Sequence, residues 1–581
     1  MRYEMNFGKL GKSLGEVKPG GRFRIALLGD FSGRANKGEL ETGADLAKRK
    51  GLKVEFDTID DVIQRLGIKL DIPLGNNGGT AEVSIASLDD FHPDELYDNI
   101  EIFEELSGLR SRLNNSSTFE SAASEIQEWL GDKSLTKRTK LKAKSKGTDM
   151  PSGKLSDFSK LMGQAASTNA GGHSVEELLK RVVAPFVVPS KDPAQDEMVA
   201  SVDESLSGLM RSILHDPDFR TLEAMWRSVD LLARSLETGV DLQIILYDIT
   251  AEEIAADLSG ADDLTETGLY QLLVEQPTMD AQQGAFSVVA GCYTFEQTPP
   301  HAELLGRIAQ IVAQTKTSFI ASIGNEALKK LKPEDVHPLV ADSWDALKAM
   351  PEASYLALVA PRFMVRNPYG KKSDPIDPFE FEEFNAKDGL RSLLWGNPAM
   401  LVALLLGLNY AKAGGLKGMN LSKVMSLGEM PFHYFNDADG DQIALPCTDR
   451  MLPMKLAEQV TLQSIMPLLA IKGQPEVRLG SWTSLGEGDL AGPWAPREHV
   501  AAEDAAVAEE AAAAEPEPDA DDDDDSDDLA DDSDDGGDDE LDALLASLDS
   551  DDDDDEDSDD ADDEDDDEEM DHELAALLAD L

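Results

Sequence analysis

The sequence predicts an α/β fold, built as two α/β domains joined by a flexible linker and followed by a disordered acidic tail. Three observations carry this. Apolar residues repeat with period two in some segments and with helical spacing in the segments between them, the alternation expected of α/β proteins. A Lys/Ser/Gly-rich stretch, 131–173, has no sustained periodicity and divides the chain. From 497 onward acidic residues take over. The boundaries read from this are 1–130, 131–173, 174–496 and 497–581.

In the first region Arg22 to Leu28 is expected as a strand, with Phe23, Ile25 and Leu27 on one face, and Lys53 to Asp57 as another around Val54 and Phe56. Ile59, Val62, Ile63 and Leu66 fall on one helical face, and Gly67 stands where a helix stop belongs. Ala81 to Ser87 is a third strand. Pro93 opens a helix with Asp94 and Glu95 in its first turn, which favours the helix dipole; Leu96, Ile100, Phe103 and Leu106 form its buried stripe.

The second region opens with the capping-box pattern Ser174-Val-Glu-Glu177 before Val175, Leu178, Leu179, Val182, Val183 and Phe186. Leu222, Met225, Trp226 and Val229 mark a helix ahead of the strand Leu242 to Ile249. Further strands are expected at Phe286 to Phe295, Ser318 to Ile323 and Tyr355 to Val359, with a helix over His301 to Thr315 among the stretches that separate them.

Charge is unevenly spread over the 581 residues. The formal net charge is -63, from 52 Lys+Arg against 115 Asp+Glu. Residues 501–581 hold 43 of the acids and no Lys or Arg, so the first 500 residues carry 72 acids and 52 bases, a net of -20. Such a field repels phosphates, and nucleic-acid binding is not expected. Lys133 to Lys146 is the one basic stretch, with seven Lys/Arg and no acid; it reads as a solvated linker, with a docking strip as the sharper alternative. The start has no apolar core of a signal peptide. The apolar run Ala399 to Ala411 is short of the ~20 residues of a bilayer span and is interrupted by Asn409. Two cysteines, Cys292 and Cys447, lack Cys or His neighbours at metal-ligand spacing. A cytoplasmic protein with no membrane association is expected.

No motif for bond chemistry stands out. There is no phosphate loop, no His-Glu-x-x-His and no Gly-x-Ser-x-Gly elbow. Gly486, Gly488 and Gly492 have the wrong spacing for a dinucleotide loop and run into Pro493-Trp494. The acidic turn Asn436 to Asp441 has Phe435 and Pro446 at the first and last ligand positions of a calcium loop, so a turn between two strands is expected. The eight histidines are scattered, and His215 and His433 read as buried or exposed without a catalytic role. No catalytic residue, cofactor or metal is expected, and the chain is read as a non-enzyme.

Several segments resemble a known family. Arg24 to Gly33, Ile59 to Ile63 and Leu88 to Leu96 resemble the small subunit of the type VI secretion contractile sheath, TssB/VipA. His215 to Arg220, Leu222 to Arg227, Ala360 to Gly370, Phe379 to Glu383, Leu394 to Asn397 and Thr448 to Arg450 resemble the large subunit, TssC/VipB. The resemblance implies a mechanical protein: the two subunits pair one to one and stack into a helical tube around an inner tube, which contraction drives outward. Here both partners lie on one chain, so their pairing becomes intramolecular. After Thr448-Asp-Arg450 the chain departs from the family, whose C-terminal part joins neighbouring subunits by strand exchange, and the acidic tail stands in its place. Trp226, Arg227, Pro361, Arg362, Pro368, Tyr369, Trp395 and Gly396 are read as residues that hold the fold, not as a binding site; Arg366, like Arg227 and Arg362, is a candidate buried ion-pair partner. The resemblance also places the 174–186 helix, with Val175, Leu178, Leu179 and Val182, where the large subunit offers a helix to a recycling AAA+ ATPase. A domain-packing helix has the same pattern.

The tail contains a repeat. Glu540 to Leu548 and Glu573 to Leu581 agree at seven of nine positions. Leu541, Leu544, Leu545 and Leu548 share one helical face, as do Leu574, Leu577, Leu578 and Leu581. Nine residues are too few for a stable isolated helix, so the repeat suggests two short motifs that fold on a partner protein, against the alternative of drift in a low-complexity segment. The expected function is a sheath subunit that associates with itself and an inner-tube protein, with baseplate proteins and the ATPase as further partners. The alternatives are a sheath-derived cap or adaptor that does not polymerise and recruits partners through its tail, and an acidic chaperone for basic proteins.

Overall fold

The computed structural model describes residues 5–11, 21–74, 79–130, 183, 195–280, 283–330, 336–436, 442–486 and 488–495. The basic stretch, the capping box at Ser174, the residues Val175, Leu178, Leu179 and Val182, and both tail repeats lie outside them. Val183 is described, helical and fully buried. Residues 1–495 form one compact unit.

The strands are β1 (Phe23–Gly29), β2 (Leu52–Val54), β3 (Ile68–Leu74), β4 (Gly79–Ile85), β5 (Leu242–Asp248), β6 (Val288–Phe295), β7 (Ser318–Ile323), β8 (Leu356–Ala360), β9 (Phe363–Arg366), β10 (Leu394–Gly396), β11 (Ser426–Leu427), β12 (Tyr434–Asn436), β13 (Gln442–Ala444), β14 (Ile465–Ala470) and β15 (Val477–Leu479). Nine of them form one sheet in the order β11-β15-β14-β8-β7-β6-β1-β5-β2. From β14 to β5 every neighbouring pair is parallel; β2, β15 and β11 pair antiparallel at the two edges. The antiparallel pairs β3–β4, β9–β10 and β12–β13 form separate two-stranded sheets.

A parallel strand in the middle of such a sheet has both faces covered, and its residues are buried whatever their alternation. β1 obeys this: all seven residues are buried. Phe23, Ile25 and Leu27 face one core cluster and Ala26 and Leu28 the other. Arg24 shares the burial by donating to the carbonyl of Gly284 and to Gln283 Oε1, with its guanidinium 4.5 Å from the Phe286 ring centre.

The helices α1 (Ile59–Leu66), α2 (Pro93–Asn99), α3 (Glu101–Asn114), α4 (Gln195–Leu214), α5 (Pro217–Ser235), α6 (Pro299–Ala313) and α7 (Pro398–Ala413) include those expected. Gly67 ends α1 in the left-handed conformation, φ 58°, where a Cβ would be strained. Two expectations need correction. The helix opened by Pro93 breaks at Ile100, whose backbone is extended, so α2 and α3 are separate, although Leu96, Ile100, Phe103 and Leu106 are all buried. The strand around Val54 stops there; Phe56 begins a 3-10 turn and is 55 % exposed. The expected turn at 436–441 is flanked by antiparallel β12 and β13, although 437–441 themselves are not described.

α7, the apolar run too short for a bilayer, lies in the core instead. It is buried from Pro398 to Gly407. Its Asn409 is 1 % exposed and satisfied: Nδ2 donates to the carbonyls of Leu405 and Val424, and Oδ1 accepts from Val424 N. No helix among the described residues is long and apolar enough to cross a membrane.

Candidate assembly interface

The first third of the 1–495 unit meets the rest of it along three layers. The first is the sheet. β1 lies between β5 and β6, with Phe23 opposite Leu242 and Gly29 opposite Asp248 on one side, and Ile25 opposite Val288 on the other. Its flanking strands therefore belong to residues more than two hundred positions later.

The second layer is the turn after β1. Asp248, at the end of β5, accepts from the backbone N–H of Phe31 (2.8 Å) and Ser32 (3.1 Å) and from the Ser32 hydroxyl (2.6 Å). Trp226 Nε1 donates to the carbonyl of Phe31 at 3.0 Å, and the two rings meet edge to face at 5.7 Å. Asp30 accepts from the N–H groups of Arg34 (2.7 Å) and Ala35 (2.9 Å). Burial, then the charge of Asp248, raise the Asp30 carboxyl to about 7 against the pull of those two bonds. Glu253 is fully buried and does two jobs. It closes the capping box with Thr250, and it holds the first third by accepting from Arg34, from Arg49 (2.8 and 2.9 Å) and from Glu41 N–H (2.9 Å). Its ion pairs and hydrogen bonds outweigh burial and keep its carboxyl below the usual range.

The third layer is a buried ion cluster. Arg366, at the end of β9, forks onto two carboxylates: Nε and Nη2 reach Glu223 of α5 at 2.6 and 3.0 Å, and Nη1 and Nη2 reach Glu383 at 2.7 and 3.1 Å. Tyr369 packs its ring 4.0 Å from the same guanidinium, and Arg227 Nη2 donates to its hydroxyl at 3.0 Å. Both acids are essentially unexposed. Burial alone would raise Glu383, but Arg366 and His215 hold it at about 2; the same pair of carboxylates holds Arg366 well above its ordinary range despite burial. The first third reaches this cluster too. His92, the N-cap of α2, stacks edge-on against Tyr369 at 4.9 Å; Asp94 accepts from Asp377 N–H at 3.1 Å; and Tyr97 lies 5.7 Å from Phe379.

The residues singled out from sequence fall on this framework. Trp226 and Tyr369 are almost completely buried, and Trp395 is 8 % exposed with Nε1 donating to the Leu390 carbonyl at 2.9 Å. Gly396 sits where an added Cβ would lie 2.5 Å from Val365 and 2.9 Å from Phe363. Pro361 follows a cis peptide, and beyond it Arg362 meets Asp449 through its own N–H (3.0 Å) and its Nε (2.6 Å), which joins the Ala360-Pro-Arg362 and Thr448-Asp-Arg450 segments. Pro368 offers its carbonyl to Ser373. Of the three arginines, Arg366 is buried, whereas the side chains of Arg227 and Arg362 remain 23 % and 49 % exposed. His215 Nε2 stands 3.7 Å from Glu383 Oε1. Asp248 and Glu253 were not singled out, although the Thr250-Ala-Glu-Glu253 capping box is a readable signal for the second.

Comparison with known proteins places this geometry. The family model of VipB, the EvpB-type tail sheath N-terminal domain, matches residues 196–486, half of the chain. The chain belongs to the type VI secretion sheath family. The model of VipA of the type VI secretion system matches residues 22–145 of the same chain. Both sheath partners are thus fused, and the three layers above are the contact between them; the VipA match also runs through nearly all of the basic stretch at 133–146. Among sheath proteins, the type VI secretion system sheath protein TssC1 of Pseudomonas aeruginosa is 27% identical over 290 residues, 47% of this chain and 58% of that relative. The chain therefore spans under two thirds of the relative's length.

Proposed function

We propose that this chain is a fused building block of a contractile sheath, which assembles with copies of itself around an inner tube and shortens to drive it outward. The observation that supports this is the position of β1, a VipA-region strand seated between two VipB-region strands. One shared sheet makes the two regions a single rigid unit, which is what a lattice that transmits force needs. Work in such a lattice comes from two packings of the same units whose free-energy difference adds along the polymer, with no bond chemistry in the chain itself. The same reading takes the chain as a cytoplasmic protein, with baseplate proteins and a recycling ATPase among its partners; the 174–186 segment, with Val175, Leu178, Leu179 and Val182, is the proposed ATPase contact.

A second reading has its own support. The match covers 58% of TssC1, and in this chain the acidic stretch follows the matched region. A cap or adaptor that recruits partners through the Leu541–Leu548 and Leu574–Leu581 motifs fits that organisation. Negative-stain microscopy of the purified chain separates the two readings. Tubes or cogwheel rings are expected of the sheath subunit, and uniformly single particles at high concentration would reject it in favour of the adaptor.

A further inference from the structure

Residues 5–11 lie upstream of both family matches and seat on the VipB-matched region. Their receptor is a groove between α6 and the loop 260–264, which follows the helix Ala251–Ser259. Glu303, Gly306, Arg307 and Gln310 share one face of α6, since the last three fall three, four and seven positions after the first. Arg307, 4 % exposed, builds the groove: Nη1 donates to the carbonyls of Leu258 (2.6 Å) and Ala261 (3.1 Å), and Nη2 reaches Glu303 at 3.3 Å. Its Nε is left for the arm and donates to the Asn6 carbonyl at 3.0 Å. Gln310 Nε2 takes the next carbonyl, that of Phe7, at 3.2 Å.

Beyond Phe7 the arm runs parallel to the loop. Lys9 N–H donates to the Asp262 carbonyl (3.2 Å), Leu264 N–H donates to the Lys9 carbonyl (2.8 Å), and Gly11 N–H donates to Asp263 Oδ1 (2.9 Å). An extended peptide is read here through its main chain, where backbone bonds supply affinity and side-chain fit supplies selectivity. Glycines set the fit. An added Cβ on Gly306 would overlap the Phe7 ring, whose atoms are the three nearest to that point. Gly8 has φ 79°, where a side chain is strained, and its added Cβ would stand 3.0 Å from Leu264. An added Cβ on Gly11 would overlap the Asp263 carboxylate. Met5, Phe7 and Leu10 pack against the core cluster, yet each stays partly exposed.

We infer that this groove is a recognition site for an extended Phe-Gly-x-Leu-Gly peptide, and that residues 5–11 are its detachable internal ligand. The arm is built as a ligand and not as core. It belongs to no helix and to none of the sheets, and among the described residues its bonds to the body all end on α6 or on residues 262–264. Such a segment opens far more readily than the sheet beneath it. Residues 12–22 join it to β1, so an arm that lifts off stays at roughly millimolar local concentration and reseats. Lifting it also takes the acceptor from buried Arg307 Nε, which favours an occupied groove over an open one.

The test reads the arm first in the full-length chain and then in trans. Trypsin cuts after Lys9 only while the arm is open, because the seated Lys9 is bonded through both its N–H and its carbonyl. Cleavage there should be at least about five-fold faster in Gly306→Ala and in Phe7→Ala than in the wild-type chain, and its rate should not change with protein concentration. Gly306→Ala puts a better helix former into α6, so faster cleavage in that variant does not come from loss of the helix. A fluorescein-labelled peptide of residues 1–13 should bind the Phe7→Ala chain with a Kd of about 10–100 μM. It should bind the wild-type chain at least about ten-fold more weakly, because the resident arm competes at its high effective concentration. The peptide carrying Gly8→Val should not bind, and the Gly306→Ala chain should not bind the native peptide. Equal cleavage in the three chains, no peptide binding by the Phe7→Ala chain, or undiminished binding of the Gly8→Val peptide would overturn the inference. Protection of Lys9 that develops only at high protein concentration would overturn it in favour of an arm supplied by a second copy. None of these readouts depends on whether the chain forms tubes, so failure here is distinct from failure of the sheath reading.

Discussion

Cutting the chain between its two family regions should leave them together. A protease site placed between Gly147 and Gly172 makes the break without touching the described elements. Six large side chains of the VipA region that line the shared core, Phe23, Ile25, Leu27, Leu28, Phe31 and Phe91, are fully buried. At about 1.5–3 kcal/mol each they contribute roughly 9–18 kcal/mol. The buried stripe of α3 (Ile102, Phe103, Leu106, Leu109, Leu113), where it packs on α4, adds a similar amount at most. Against this stands an association cost of about 4–15 kcal/mol. The burial terms exceed the association cost over most of these ranges, so the two fragments are expected to stay together at micromolar concentration. After cleavage, size-exclusion chromatography at 1 μM should therefore give one peak containing both fragments, which separate only in denaturant. Two peaks at native conditions and micromolar concentration would refute the claim that β1 and its neighbours form one sheet in solution.

Three further outcomes follow from the interface. Arg366→Met strips the counter-charge from buried Glu223 and Glu383 and should cost about 3–5 kcal/mol in urea denaturation, whereas Arg362→Met removes a half-exposed guanidinium from a buried Asp449 that keeps its bonds from the residue 362 N–H and Asn325, and should cost less, about 1 kcal/mol. Trp226→Phe keeps most of the ring packing but leaves the Phe31 carbonyl without its donor, a loss of about 1–3 kcal/mol measured the same way. Asp30 is raised in the folded chain to about 7, so the folded state keeps a proton that the unfolded state has released, and stability falls as pH rises from about 4 to about 7. Asp30→Asn should flatten that part of the stability–pH curve at the expense of one backbone bond of about 1 kcal/mol, read by thermal melts from pH 4 to 8.

The elements of this fold were legible where local chemistry dictates them. Gly67 marks the end of α1, and the apolar alternation of Phe23, Ile25 and Leu27 marks β1, because each signal acts over a few residues. What could not be read is who sits beside whom. Nothing within Phe23–Gly29 specifies neighbours at Leu242 and Val288, since parallel pairing depends on shape and burial contributed by distant segments. The same holds for the interface: Arg366 and its acids were visible as charged residues near aromatics, but the fork from Glu223 to Glu383 closes only in three dimensions. Ile100 shows the opposite error. Its place in an unbroken apolar stripe predicts helix, and the chain instead breaks there while keeping the stripe buried, because burial constrains which face a residue points to more strongly than which backbone carries it there.

The strand order has a consequence for biosynthesis. β1 is translated early, but the two strands that flank it are completed only at Asp248 and Phe295. At roughly 5–20 residues per second, an apolar strand with two open edges waits on the ribosome for about 10–50 seconds before its slot exists. During that interval the nascent chain exposes a segment suited to pairing with other emerging chains. A cell making this protein as one fused polypeptide therefore gains fixed stoichiometry but inherits a delay, and holdase capture of the first hundred residues should be strongest before β6 leaves the exit tunnel.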